Sequence, residues 1–194
     1  MELILASASP RRRELLSQIG VAHRVYPVDI CEDVIAGETA AQYVERLALE
    51  KAEKCAELTG AGCAILGSDT TVVAHGRILG KPADKEDAVQ TLLSLSGKVH
   101  EVITGVALVT AEQSLTSVVK TEVRFRALSR AECERYWETG EPRDKAGSYG
   151  IQGLGAIFVD EIKGSYSSVV GLPLTETARL LSKVNVPVWQ SDRS

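Results

Sequence analysis

Strand-like and helix-like segments alternate along this chain, and that alternation constrains its fold more than any other feature. A short apolar run, Leu3-Ile4-Leu5-Ala6, passes directly into Ser7-Ala8-Ser9-Pro10-Arg11-Arg12-Arg13. Ser9 suits a helix N-cap and Pro10 the first helical position, so the pattern predicts a strand near residues 2–6 and a helix over 10–19, stopped by Gly20. Further helices are predicted over 40–58, with Thr39 as cap and Gly60 beyond the end, from Asp84 to about 95, from the Ser129/Glu132 capping box toward 140, and over 173–183. Strands are expected over 21–28, over 64–66 and, after a break at Gly67-Ser68-Asp69, over 70–73. A turn at His75-Gly76 returns through 77–79, and strands over 99–109, 117–126 and 156–162 complete the set. Residues 184–194 read as a loosely held tail. The alternation argues for an α/β fold.

Composition narrows the class. The 194 residues suffice for one domain, either a single core or two closely joined lobes. A net charge of −4 and an aromatic content of 5% speak against a nucleic-acid partner, so any anion site must be a local basic cluster. Cys31, Cys55, Cys63 and Cys133 lack metal-ligand spacing and read as reduced, structural thiols. No signal-peptide pattern and no apolar run of about 20 residues is present, which points to the cytoplasm and away from a membrane.

Three arginines on a first helical turn oppose the helix dipole, whereas an anion there would be held by backbone N–H groups and guanidinium donors together. The same residues would also serve as a capped helix start with a solvated face. Asp69 ends an apolar run and is either a capping acid or a catalytic one; ligand sites in α/β sheets gather at strand carboxyl ends. Lys81, fixed between Gly80 and Pro82, could reach a phosphate or lie solvated, and Lys51 by itself reads as a snorkelling helix residue. Glu32, in the acidic stretch Asp29-Ile30-Cys31-Glu32-Asp33, could give a metal ligand or simply be solvated. The glycine-rich segment 140–155 is too long and too apolar for a mere connection. Phosphate-loop, dinucleotide and nucleophile-elbow motifs are all missing.

Taken together, Ser7-Ala8-Ser9-Pro10-Arg11-Arg12, Gly67-Ser68-Asp69-Thr70, Gly80-Lys81-Pro82, Lys145-Ala146-Gly147-Ser148-Tyr149-Gly150-Ile151-Gln152-Gly153 and Val170-Gly171-Leu172-Pro173-Leu174 resemble, in that order, the Maf (septum-formation-inhibitor-like) family. The resemblance covers about residues 3–183. It implies an α/β fold with a mixed elongated sheet, flanking helices and two lobes around a cleft, similar to the inosine-triphosphate pyrophosphatase fold. It implies hydrolysis of a nucleoside triphosphate at the α–β bond, giving monophosphate and pyrophosphate. Asp69 matches the proton acceptor. Glu32, Lys51 and Lys81 match positions that handle metal and phosphates, and Arg12, Ser7 and Ser9 are further phosphate candidates. A divalent cation, Mg²⁺ or Mn²⁺, would sit on Glu32 and Asp69. Arg11, Thr70 and Gln152 resemble the dTTP/UTP branch, not the 7-methyl-GTP branch with its Ser-Pro-Trp, Ser-Asp-Gln and Ser-Glu-Gly motifs. Family analogy also implies a homodimer, a house-cleaning role linked to cell-division arrest and, as an alternative, a non-catalytic septation inhibitor that binds a division partner.

Overall fold

The computed structural model describes residues 1–60 and 62–190. Strands β1 (Glu2–Leu5), β2 (Arg24–Val25), β3 (Cys63–Ala74), β4 (Arg77–Leu79), β5 (Val99–Val109), β6 (Ser114–Phe125) and β7 (Val159–Lys163) form one mixed sheet. Their order is β2-β1-β3-β5-β6-β7, with β4 hydrogen-bonded to β3. β1 is parallel to β2 and β3, while the β3/β4 and β6/β7 pairs are antiparallel. The helices are α1 (Pro10–Gln18), α2 (Ala40–Thr59), α3 (Lys85–Leu95), α4 (Arg130–Glu138), α5 (Tyr166–Val170) and α6 (Leu174–Lys183). The expected mixed α/β architecture is the one observed. No helix among the described residues is long and apolar enough to cross a membrane.

The chain divides into two compact units. One comprises Met1–Asp69, Thr104–Val119 and Gly171–Ser194; the other comprises Thr70–Ile103 and Lys120–Val170. In the first, α2 begins with a full capping box between Thr39 and Gln42 and buries Val44, Leu47, Ala48, Ala52 and Cys55. Those spacings put one apolar stripe on the sheet, where Ala48, Ala52 and Cys55 pack with Ile4, Ala6, Ile65, Ala107 and Val109. Contact is backbone-close: a Cβ on Gly67 would overlap the Ala48 carbonyl oxygen, and one on Gly105 would overlap that of Val44. In the second unit the core contains an aromatic cluster. Phe125 packs edge-on against His100 and Tyr149, with ring centroids 4.9 and 4.7 Å away, and Phe158 meets Tyr136 at 4.9 Å.

Several boundaries differ from expectation. The strand predicted over 21–28 shrinks to Arg24–Val25, both exposed, because β2 is a sheet edge and Pro27 has no N–H to continue the ladder. The break predicted at Gly67-Ser68-Asp69 does not occur, and β3 runs through all three. Gly67 is there to admit the α2 backbone, not to end a strand. β7 starts later than predicted because a 3₁₀ turn, Leu154–Phe158, precedes it, and α5 has no strong periodic signal. The tail is also corrected for its described part: Val184 and Val186 are buried, and the N–H groups of Trp189 and Gln190 donate to the carbonyls of Ile19 and Gly20. Residues 191–194 lie outside the described residues.

Candidate active site

In the first unit, β1 delivers the chain to Ser7, which is buried, and to the start of α1. Ser9 is the N-cap in backbone conformation, but its side chain makes no capping bond; instead its N–H donates to Ser7 Oγ at 3.2 Å. Arg12 turns back over this start. Its Nη1 donates to Ser7 Oγ at 3.2 Å and its Nε to the Gly171 carbonyl at 2.8 Å. Burial lowers the Arg12 pKa, the nearby Asp69 charge opposes that, and Arg11 and Glu32 are also within electrostatic reach. An arginine keeps its charge through such a shift, so the structure holds a half-buried guanidinium beside a helix N-terminus. Arg11 is half-buried and Arg13 is exposed.

Asp69 is 8% exposed, and its Oδ1 accepts from Lys51 Nζ at 2.7 Å. The same ammonium lies 2.7 Å from Glu32 Oε1, whose side chain is half-exposed. Lys51 is therefore not a snorkelling residue: its side chain is 11% exposed and its head joins two carboxylates. Burial raises the Asp69 pKa above the ordinary carboxylate range, against the lowering effects of Lys51 and Arg12. The Glu32 segment is braced from α2. Tyr43 OH donates to the Glu32 carbonyl at 2.9 Å, and Arg46 donates to the Asp33 carbonyl at 3.0 Å while gripping both oxygens of Glu38 at 2.7 and 2.8 Å. Burial and the charges of Asp69 and Glu32 push the Tyr43 phenol up to about 12.

In the second unit, Thr70 follows Asp69 along β3 and is half-buried, while Lys81 and Gln152 are exposed. The two glycine-rich loops that carry Lys81 and Gln152 meet, since the N–H of Gly147 donates to the Gly80 carbonyl at 3.2 Å. Direct contacts thus join Ser9 and Arg12 to Ser7 and join Glu32 and Asp69 to Lys51, whereas Arg11 sits on α1, Thr70 on β3, and Lys81 and Gln152 on the two glycine-rich loops.

A family model described as Maf-like protein matches residues 2–184. The chain belongs to the Maf family. It is 56% identical over 98% of its length to a protein of Saccharophagus degradans named dTTP/UTP pyrophosphatase, covering 92% of that relative. A Vibrio cholerae protein of the same name is 53% identical over 94% of the chain and 97% of the relative. A solved structure of a HAM1 protein from Coxiella burnetii superposes with a TM-score of 0.51 at 20% identity, covering 94% of this chain and 99% of that one, a likeness of fold.

Three features of this Maf chain escape a reading of its motifs. Ser68 is fully buried, and its Oγ lies 2.9 Å from the Gly105 carbonyl and 3.0 Å from that of Gly171. The Gly171 carbonyl thus accepts from Arg12 and shares with Gly105 the one proton of the Ser68 hydroxyl. Tyr43 and Arg46 brace the Glu32 segment, a role hinted at only by the i,i+4 pair of Arg46 with Glu50. Gly67 and Gly105 set the distance of α2 from the sheet.

Proposed function

We propose that this chain hydrolyses dTTP and UTP to the monophosphate and pyrophosphate. The observation that carries the reading is the buried Asp69 carboxylate held by Lys51 beside the half-buried Arg12, an acid–base pair with phosphate donors around it. The Maf relatives named dTTP/UTP pyrophosphatase support the same reaction.

Cleavage of a phosphoanhydride needs charge neutralisation and a water placed in line. Asp69 accepts the proton of that water; its raised affinity for protons makes it a better base than a surface aspartate. Lys51 holds the Asp69 oxygen in place. Arg12 is already oriented by Ser7 and Gly171, so it meets phosphate oxygens without reorganising, and Ser7, Ser9, Lys51 and Lys81 add donors. Glu32 and Asp69 fit a divalent cation such as Mg²⁺ or Mn²⁺, because their oxygens are hard donors that converge on one positive charge. No cluster of three or more acidic, histidine or cysteine ligands occurs among the described residues, so such an ion would complete its shell with water and phosphate. When bound, it would supply neutralisation of phosphate charge.

Gln152 offers one acceptor and two donors, which match a pyrimidine edge bearing carbonyl and N–H groups. Thr70 adds a hydroxyl, and Arg11 a charge at the base or phosphate. We also propose a cytoplasmic setting, a homodimer and no nucleic-acid partner, the last supported by the net charge of −4. A non-catalytic septation inhibitor is not favoured. The deciding experiment offers a panel of nucleoside triphosphates with Mg²⁺ or Mn²⁺ and scores the products. Pyrophosphate from dTTP and UTP is expected; orthophosphate release, or no preference among bases, overturns the reading.

A further inference from the structure

Gln152 is exposed, and its side chain has no hydrogen-bond partner among the described residues. Its carboxamide can therefore be aimed only by the main chain that carries it. That main chain has a turn bond of its own, from the Gly153 N–H to the Gly150 carbonyl at 3.4 Å, and is tied further to one side chain. Glu141, which opens the 3₁₀ turn Glu141–Asp144, accepts the Tyr136 hydroxyl at 2.6 Å and the Gly155 N–H at 3.0 Å on Oε1, and the Leu154 N–H at 2.8 Å on Oε2. Tyr136 OH in turn accepts the Gly150 N–H at 3.0 Å. The chain is thus pinned before Gln152 at Gly150 and after it at Leu154 and Gly155.

One glycine of this arc is required by the same carboxylate, and its neighbours are crowded by the groups around it. A Cβ on Gly153 would overlap Glu141 Oε2, and a Cβ on Gly150 would lie 2.7 Å from Lys145 Cε. Lys145 closes the arrangement by donating to the Glu141 carbonyl and to Asp144 Oδ1, each at 2.8 Å. Although burial pushes the Glu141 pKa up, the hydrogen bonds from Tyr136, Gly155 and Leu154 outweigh it and hold the group below the usual carboxylate range. An ionised acceptor makes these bonds strong and their geometry narrow.

We propose that Glu141 is a positioning residue for substrate selection: through Tyr136 and the amides of Gly150, Leu154 and Gly155 it shapes the arc that aims Gln152 at a pyrimidine base with adjacent carbonyl and N–H groups. The inference rests on the proposed dTTP/UTP activity. It also explains why a specificity residue can be exposed and unsupported by side chains, since its support is a half-buried anion that holds the backbone.

The test compares kcat/KM on dTTP and on dGTP, with Mg²⁺, for wild type, Glu141→Gln, Tyr136→Phe and Gln152→Ala, and for Glu141→Gln combined with Gln152→Ala. Glu141→Gln keeps the size but replaces one acceptor oxygen by a donor facing an N–H. Tyr136→Phe keeps the ring and removes only the hydroxyl, so it serves if Glu141→Gln does not fold. Each single variant is expected to lower the dTTP-to-dGTP ratio about tenfold through KM for dTTP, the effect of losing one or two charge-assisted bonds. For Tyr136→Phe and Glu141→Gln, which touch no substrate, kcat on dGTP stays unchanged. In the Gln152→Ala background, Glu141→Gln should lower the ratio no further. Equal loss on both nucleotides, an unchanged ratio, or a full additional loss without Gln152 overturns the inference while the activity stands. A wild type with no preference for dTTP over dGTP overturns the functional reading itself.

Discussion

Lys51 Nζ stands 2.7 Å from Asp69 Oδ1 and 2.7 Å from Glu32 Oε1, one ammonium shared by two carboxylates. Replacing it removes the cation between two like charges, and a carboxylate that loses a neighbouring cation binds its proton more tightly. Lys51→Met should therefore move the acid limb of the kcat/KM profile upward by about one pH unit. Its activity on dTTP at neutral pH should fall by roughly a hundredfold, the loss of one preorganised charged donor. An acid limb that stays in place would separate Lys51 from the base.

Asp69→Asn keeps the shape and removes the proton acceptor. Turnover should drop by roughly 10²–10⁴-fold, the range for a lost general base. Because burial already disfavours the charged carboxylate, the neutral amide should not lower the thermal midpoint. Calorimetry should still register nucleotide binding, and normal turnover would remove Asp69 from the chemistry.

Gln152→Glu places a negative charge on an exposed position. Thermal stability and the metal concentration needed for half-maximal rate should be unaffected, while kcat/KM for dTTP falls more than tenfold, as expected when a buried base edge loses its paired donors. The same loss on every nucleotide would mean that Gln152 does not face the base.

Gly67→Ala forces a methyl group into the Ala48 carbonyl. Overpacking of this kind costs about 2 kcal/mol, which in a chain of this size lowers the melting midpoint by roughly 4–8 °C. Activity should fall with it, because α2 carries Lys51. A differential scan of the variant decides the point.

His100 carries a pH dependence that lies outside the proposed chemistry. It is 2% exposed, its Nε2 pairs with Tyr149 OH at 2.7 Å, its Nδ1 has no partner among the described residues, and burial pushes its pKa down to about 4. Between that value and the ordinary 6.5, the unfolded chain binds a proton that the folded chain does not. Stability from this group is therefore complete above about pH 6.5 and is lost as pH falls toward 4, with a slope approaching about 1.4 kcal/mol per pH unit. Urea midpoints at pH 7 and pH 5 measure it, and His100→Gln should flatten the difference.

The local signals were strong wherever one residue does one job. Thr39, Asp84 and Ser129 cap helices as their spacing predicts, and His75-Gly76 turns the β3/β4 hairpin. The signal failed where a residue answers to a distant partner. Gly67 looks like a strand breaker until α2 is laid on it. Lys51 looks solvated because nothing near it in sequence shows that Glu32 and Asp69 will meet its head. Ser68 looks like a spacer, although its hydroxyl reaches two carbonyls far along the chain. Motif order points to candidate residues, but ion pairing across long separations is written only in the folded chain.

The contact between α2 and the sheet through Gly67 and Gly105 has an evolutionary corollary. Where a helix rests on side chains, every drift in core volume shifts its height. Here the peptide units themselves set the stop, and they are the same in every chain. Neighbours such as Cys55, Ile65 and Val109 can exchange methyl groups over generations while the ammonium of Lys51 keeps its appointed distance from Asp69. The two glycines decouple the tolerance of the core from the height of α2, so its side-chain volumes can change without moving Lys51.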